Sequence, residues 1–509
     1  MSYSIDTLSL KNFKAFKNLS DLKIKPLTIL AGTNSSGKSS ILQSILLLKQ
    51  TFESNSNIQL LLNGNFTKLG TFKDIVYGKN EKNEIEIGFK VPIDKYELAQ
   101  MRYFIPQNIK HNIEENTSWW YDFSYKVCLK EEMVKIPKDG FKEEKKSIVK
   151  DFEINFLPNT KEGQNREKSA YLKLSHQQDK IYTVSWKLFR RTPDSVEDFK
   201  KEQQETTIEK IEGQKELNVD FANLRPAQIL DNDIPQEIRM ILFNLGDFLK
   251  NIFIKYNYIS PHRIEPQKRY IYENEVNTIG NYGQNAAYAL ANLGNNEAIA
   301  FYLFDIESNQ FKFRDNKFVN KFLKDAVKWW LSYMGIKDFE AVIKDGIIYL
   351  EMESGTTGEK VKVNLSEVGF GISQVFPIVV EGLRMLPAST LIVESPEAHL
   401  HPKMQMQLAD FFISLALSSK NVIVETHSDH IVNRLVRRII EDEQSILKDK
   451  IAIYFINPSE EGAIVEEVKI DEDRGIINWP DGFFDQTANE QEQIMRAGLK
   501  KRIAKRNKI

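Results

Sequence analysis

The sequence predicts an α/β protein, a mixed sheet with covering helices that is interrupted by a β-rich region. Three observations carry this reading. Near the start, "LTILAGTNSSGKSSIL" runs as strand, glycine-bearing loop and helix, which is the opening of an α/β unit. Toward the end, "STLIV" and "NVIVE" are near-continuous apolar strands on either side of the helical stretch "PKMQMQLADFFISLAL", as a doubly covered parallel sheet requires. Between these parts lies a long passage of short alternating segments and charged connectors.

Taken in order, "SIDTLSLKNF" and "LKIKPLTILAG" read as strands by alternation and β-branched content. "SSILQSILLLKQTFES" reads as a helix with Ile41, Ile45 and Leu48 on one face. From about 85 to 230, "EIEIGFKV", "WWYDFSYKVCL", "SIVKDFEINFL" and "IYTVSWKLF" predict a mostly antiparallel insertion with connectors such as "KEEMVKIPKDGFKEEKK". Helical periodicity returns in "PQEIRMILFNLGDFLKNIFIKY" (235–256). A helix near 317–335, a strand pair near 340–365 and a helix beginning in "GISQVFPIVVEGLRM" precede the final strand–helix–strand passage. The expected partition is 1–84 and 231–475 as two lobes of one domain, 85–230 as the insertion, and 476–509 as a basic tail.

Composition narrows the classes. Lys and Arg total 69 against 71 Asp and Glu, so any nucleic-acid contact needs a local patch. The single cysteine, Cys128, cannot close an internal disulfide, which fits a reducing compartment. The longest apolar runs, such as "SILLL" and "VFPIVV", fall far short of the roughly 18 residues of a membrane span. The first residues lack the apolar core of a signal peptide, so a cytoplasmic protein without a membrane partner is expected.

The chemistry starts at "GTNSSGKS", Gly32 to Ser39, which matches G-x-x-x-x-G-K-[ST] between a predicted strand and a predicted helix. Gly32 and Gly37 permit the backbone to aim the N–H groups of Asn34, Ser35 and Ser36 at an anion, and the helix start at Lys38, Ser39 and Ser40 adds its positive end. Lys38 would reach the β- and γ-phosphates, and the Ser39 hydroxyl would ligate Mg²⁺, so ATP and Mg²⁺ are the expected cofactors. Glu394, closing "TLIV", is the expected second metal acid and a catalytic candidate. His427 follows the next strand in "VIVETHSD", where it can meet the γ-phosphate or the attacking water at the same sheet edge.

One position departs from this pattern. Ser395 follows Glu394 where a second acid would activate water, and serine is no general base at neutral pH without an activating partner. Glu397 is the candidate to act in its stead. His399, His401 and Glu397 do not space as a tetrahedral zinc set. In "NLSEVGFGISQ" (364–374), Ser366, Gly369 and Gly371 precede a helix and form a second anion-binding start that lacks a lysine. It could close over a nucleotide held by another copy of the chain.

Together these stretches resemble the ABC-type ATPase heads of the SMC/RecF/overcoming-lysogenisation-defect group. "LSLKNFKAF" with "LTILAGTNSSGKSSIL" is similar to that group's first strands and Walker A, "LSEVGFGISQ" to its signature motif, "LIVESPEAHLHP" to its Walker B and D-loop, and "ETHSDHIVNRL" to its switch-histidine segment. "YISPHRIEPQKRY" and "GIINWPDGFFDQTANEQ" resemble a bacterial branch found beside phage-defence genes. The resemblance spans about 1–80 and 250–490 and leaves the insertion uncovered. It implies two heads sandwiching two ATPs, with Lys38 and Ser39 of one facing Ser366 and Gly369 of the other, and hence a homodimer or higher even-numbered oligomer. It lacks a Q-loop glutamine, Gln43 lying on the first helix as packing.

Three functions stay open on this reading. The first is an ATPase subunit gating a separate nuclease, as in Septu-like defence systems. The second is a repair or maintenance ATPase that clamps DNA directly, for which the tail "RAGLKKRIAKRNKI" offers seven Lys/Arg in fourteen residues. A transporter motor ranks last, because "NFKAF" and "PEAHLHP" do not resemble transport ATPases.

Overall fold

The computed structural model describes residues 4–94, 120–135, 143–160, 163–164, 169–191, 208–229, 234–271, 278–296, 301–314, 322–354, 361–367, 370–471, 473–480, 482 and 486–506. Two large sheets organise these residues. The first is antiparallel and begins with the hairpin β1 (Thr7–Phe13) and β2 (Phe16–Lys23). The strand β3 (Leu27–Gly32) then leaves for the second sheet. The first sheet continues through β4 (Ile85–Asp94), β5 (Trp120–Lys135), β6 (Glu143–Thr160), the short β7 (Gly163–Gln164), β8 (Ala170–Gln178), β9 (Ile181–Arg191), β10 (Ile208–Ala222) and β11 (Arg225–Ile229). Its order is β11-β10-β9-β8-β6-β5-β4-β1-β2, with β7 on β6. The 85–229 strands are thus bonded edge to edge with the first hairpin through β1 and β4.

The second sheet has the order β12-β19-β20-β3-β21-β22, from β12 (Tyr256–Ile259), β19 (Thr390–Glu394), β20 (Asn421–Glu425), β21 (Ile451–Asn457) and β22 (Ile464–Glu467). All pairs are parallel except β21–β22. Both of its faces are covered, and the strand residues show it. Leu30, Ile392, Ile423 and Ile456 join one core with α1 (Lys38–Phe52), α3 (Gln236–Phe253) and the antiparallel sheet. Ile29, Val393, Val424 and Phe455 join the other, under the helices of the C-terminal half. This is why the strands read as continuous apolar runs. The α/β class and the mixed sheet with a β-rich interruption stand as read from the sequence.

Helix α1 is buried on more than the one expected face; Leu42, Leu46 and Leu47 are covered as fully as Ile41, Ile45 and Leu48. It lies between the sheets, where Phe52 meets Phe253 at 5.1 Å between ring centroids and Tyr125 at 5.6 Å. A single turn, α2 (Phe72–Ile75), closes a capping box through Thr71 and Asp74.

The C-terminal half contains elements that the sequence reading left unassigned. These include α4 (Ala286–Leu293) and the hairpin β14 (Phe301–Asp305) and β15 (Gln310–Arg314). The helix expected near 317–335 is α5 (Leu323–Tyr333), and residues 317–321 lie outside the described residues. The strand pair near 340–365 is a small sheet of β16 (Glu340–Lys344), β17 (Ile347–Ser354) and β18 (Val361–Asn364), edged by β13 (Tyr270–Ile271). There follow α6 (Phe370–Arg384), α7 (Pro402–Leu417), α8 (Asp429–Glu441), α9 (Ile446–Lys450) and an exposed α10 (Gln486–Arg506). Among the described residues no helix is long and apolar enough to cross a membrane.

Candidate nucleotide site

The site lies at the carboxyl ends of β3, β20 and β19, in that spatial order. β3 is buried throughout and ends at Gly32, whose φ of 146° suits glycine. A Cβ there would lie 2.3 Å from the Ile456 carbonyl oxygen of β21, so no other residue fits. Asn34 and Ser35 are exposed at the loop tip, Ser35 with a positive φ of 59°. Ser36 is buried, and its hydroxyl has no partner among the described residues. Gly37, at φ 108°, turns the chain into α1, and Ser40 N–H donates to its carbonyl at 3.0 Å.

Lys38 is 3 % exposed and folds back over the loop, its Nζ donating to the carbonyls of Gly32 (3.0 Å) and Thr33 (2.6 Å). Burial lowers its pKa, and Glu425 and Glu397 oppose that shift. A cationic group at a cluster of amides, beside a helix start, is an anion cradle. A cavity of about 450 Å³ opens beside it, bounded by Lys14, Ser35, Gly37, Ser39 and Gln43. Gln43 does not simply pack, since its Oε1 accepts from Lys14 Nζ at 2.5 Å.

The acid in contact with the loop is Glu425, the last residue of β20. Ser39 Oγ donates to its Oε1 at 2.9 Å. Glu425 is 6 % exposed, and its Oε2 is buried with no partner among the described residues. Burial, reinforced by Glu394, pushes its pKa up to about 7, against the Ser39 hydroxyl and Lys38. Glu394 is its register partner on β19, one strand farther from the P-loop. There Glu394 Oε1 accepts from Tyr258 Oη at 2.9 Å, and burial raises its pKa. Arg263, 6 % exposed, donates from Nη2 to the carbonyls of Glu394 (2.7 Å) and Ser395 (3.3 Å). Ser395 sits at φ 42° with its N–H on the Glu425 carbonyl at 2.8 Å.

Glu397 is tied to the neighbouring turn. It accepts from Thr426 Oγ1 at 2.8 Å and from His427 N–H at 2.7 Å. Burial and then Lys38 lower the pKa of the His427 ring, against Glu397 and the nearby Gly32 backbone. His427 thus reaches the phosphate loop itself. His401 Nδ1 accepts from Lys403 N–H at 3.2 Å and so caps α7.

Ser366 N–H and Oγ both donate to Asn364 Oδ1, at 3.0 and 2.8 Å. Gly369 lies outside the described residues. Gly371, in the first turn of α6, allows that turn to lie on the His399 carbonyl, 2.5 Å from where a Cβ would stand. The start of α6 therefore rests on the loop after β19.

The hydroxyl of Ser39 and the carboxylate of Glu425, with one buried oxygen unsatisfied, fit a small hard cation. No cluster of three or more His, Cys, Asp or Glu side chains among the described residues could hold a metal. For a cation held here, phosphate and water would supply the other ligands, as they do for Mg²⁺.

Sequence reasoning gave no role to Glu425, Tyr258, Arg263 or Lys14. Glu425 had a signal, a charged residue closing the apolar run "NVIV" beside His427. Tyr258 and Arg263 lie in "YISPHRIEPQKRY" and Lys14 in "LSLKNFKAF", stretches quoted for their resemblance without a role for these side chains, whose partners come from distant elements.

The solved structures that the chain matches, at low identity and low TM-score, include three SMC heads. An SMC head domain from Thermotoga maritima aligns at 9 % identity and TM-score 0.33, over 92 % of this chain and 100 % of that one. An Smc head bound to the C-terminal winged-helix domain of ScpA aligns at 11 % and 0.36, over 92 % and 99 %. An Smc head with an extended coiled coil, bound to the C-terminal domain of ScpA derived from Pyrococcus furiosus, aligns at 12 % and 0.37, over 97 % and 100 %. Among curated proteins none matches the sequence. A family model described as a protein of unknown function (DUF3696) matches residues 446–494, and one described as an AAA ATPase domain matches residues 4–432. With that match over most of its length, and a P-loop folded as an anion cradle within it, the chain belongs to the AAA ATPase domain family.

Proposed function

We propose that this chain is an ABC-type ATPase head that binds Mg²⁺-ATP, hydrolyses it slowly, and pairs with a second head around the nucleotide to regulate a separate nuclease in anti-phage defence. The observation that carries the nucleotide part is the cradle of Gly32 to Ser39 with Lys38 turned over it. In this reading Lys38 moves from the loop carbonyls to the β- and γ-phosphates, and His427 contacts the γ-phosphate. Bound Mg²⁺ would neutralise phosphate charge beside Ser39 and an acid of the sheet edge. Slow turnover follows from Ser395, which offers no base, and from Glu397, whose two oxygens are already engaged.

Pairing of heads is supported by α6. Ser366 is held by Asn364 and Gly371 lies against the His399 loop, and in this reading that helix start would meet a partner's nucleotide. The defence role rests on the resemblance of "YISPHRIEPQKRY" and "GIINWPDGFFDQTANEQ" alone. We read 1–84 and 231–475 as the lobes of the head, 85–230 as an insertion, 476–509 as a basic tail, and the cytoplasm as its location.

Steady-state ATP turnover against Lys38→Ala tests the enzyme, and co-purification with the product of a neighbouring nuclease gene tests the partner. A second reading, direct clamping of DNA, is favoured by helix α10, on which Arg496, Lys500 and Lys501 of the basic tail are exposed. It requires DNA affinity that falls steeply with salt and is lost on deleting 496–509.

A further inference from the structure

The expected metal acid, Glu394, lies one strand away from the P-loop, because β20 runs between β19 and β3. The carboxylate that meets the P-loop hydroxyl belongs to β20 instead. We infer that Glu425 is the protein carboxylate that binds Mg²⁺ directly, cis to Ser39, and that Glu394 stands behind it. This rests on the reading of the chain as an Mg²⁺-ATP-binding protein.

Three observations carry it. The first is a distance: Ser39 Oγ and Glu425 Oε1 are 2.9 Å apart. Octahedral Mg²⁺ with oxygens at about 2.0–2.1 Å places neighbouring ligands about 2.8–3.0 Å apart. The pair therefore already has the spacing of two adjacent ligands, and a cation can replace the hydroxyl–carboxylate bond without moving either oxygen. The second is the orphan. Glu425 is 6 % exposed and its Oε2 has no partner among the described residues, a costly state for a buried carboxylate unless a cation or its water shell comes to it. The third is how firmly Glu425 is held. Its carbonyl takes the Ser395 N–H, its strand is bonded on both sides, and its register partners are Glu394 and Leu30. Glu394, by contrast, is turned to Tyr258, with its peptide held by Arg263. Its charge adds to the field on Glu425, and its hydrogen bonds run to Tyr258 and Arg263 rather than to the P-loop.

Mn²⁺ serves as a paramagnetic stand-in for Mg²⁺. Free Mn²⁺ is titrated by electron paramagnetic resonance into the full chain with a non-hydrolysable ATP analogue, for wild type, Glu425→Gln and Glu394→Gln. In parallel, a fluorescent ATP analogue is titrated in EDTA, with Lys38→Ala as the blank. Glu425→Gln is expected to weaken Mn²⁺ binding about 10–100-fold and Glu394→Gln by less, each read against that variant's own metal-free nucleotide affinity. Wild-type Mn²⁺ affinity in Glu425→Gln, or a larger loss in Glu394→Gln, overturns the assignment. Wild type that binds no nucleotide above the Lys38→Ala blank overturns the underlying reading instead. Glu425→Cys is a second route should the glutamine variant not fold. A thiolate at an inner ligand position shifts the metal that supports analogue binding from Mg²⁺ toward Cd²⁺; an unchanged preference for Mg²⁺ overturns the proposal.

Discussion

Glu397 accepts the backbone N–H of His427 at 2.7 Å, so the turn after β19 and the turn after β20 are joined by a single side chain. The same carboxylate takes the Thr426 hydroxyl, and the His427 ring lies near the Gly32 backbone and Lys38. The acid loop and the histidine turn are thereby tied together beside the phosphate loop.

Removing that tie should be visible before any nucleotide is added. Glu397→Ala leaves the Thr426 hydroxyl and the His427 N–H without their acceptor and is expected to cost about 1–3 kcal/mol. Urea unfolding of the nucleotide-free protein measures it. A wild-type midpoint with lost turnover would instead mean that Glu397 acts on water.

Ser395 is where the missing base can be restored. Its N–H is fixed on the Glu425 carbonyl and its φ of 42° is one that glutamate bears no worse than serine. Ser395→Glu is expected to raise steady-state ATP turnover about tenfold or more, within the range a positioned general base supplies. Unchanged turnover would place the limit outside the chemical step.

Gly371 sets how closely α6 approaches the loop after β19. Adding one methyl group places it 2.5 Å from the His399 carbonyl oxygen, a backbone atom with little room to yield. Gly371→Ala should therefore destabilise the protein by about 1–3 kcal/mol, read by thermal unfolding. If heads pair around ATP as proposed, that pairing should weaken as well, read by light scattering.

The far end of α6 gives a pH signature. Lys420 is fully buried and donates to the carbonyls of Gly382 (2.8 Å) and Leu383 (3.0 Å). Burial lowers its pKa from 10.5 to about 7, with Glu381 opposing. Between those values the unfolded chain holds a proton that the folded chain has given up, so this residue makes stability rise with pH across that window. Below about pH 7 both states are protonated and the contribution is flat. The stability of wild type minus that of Lys420→Met should climb from pH 7 to pH 10; a flat difference refutes the shift.

The sequence by itself determined the local chemistry. The strand, the loop Gly32–Ser39 and helix α1 are contiguous, and their residues carry their own backbone requirements, so spacing sufficed to read them. The buried strands β19 and β20 were legible for the same reason, since burial on both faces leaves an unbroken apolar run. Helix α4 and the β14–β15 hairpin were not, because their short segments gain their form from the core they cover. Only the tertiary structure decided which acid meets Ser39. Sheet order is a non-local property: β20, later in the chain than β19, inserts beside β3 and brings Glu425 to the phosphate loop, while Glu394 stands one strand away. Tyr258 and Arg263, more than 130 residues before the groups they hold, enter the site for the same reason. Parallel strands are joined through long crossovers, so neighbours in the sheet are strangers in the chain.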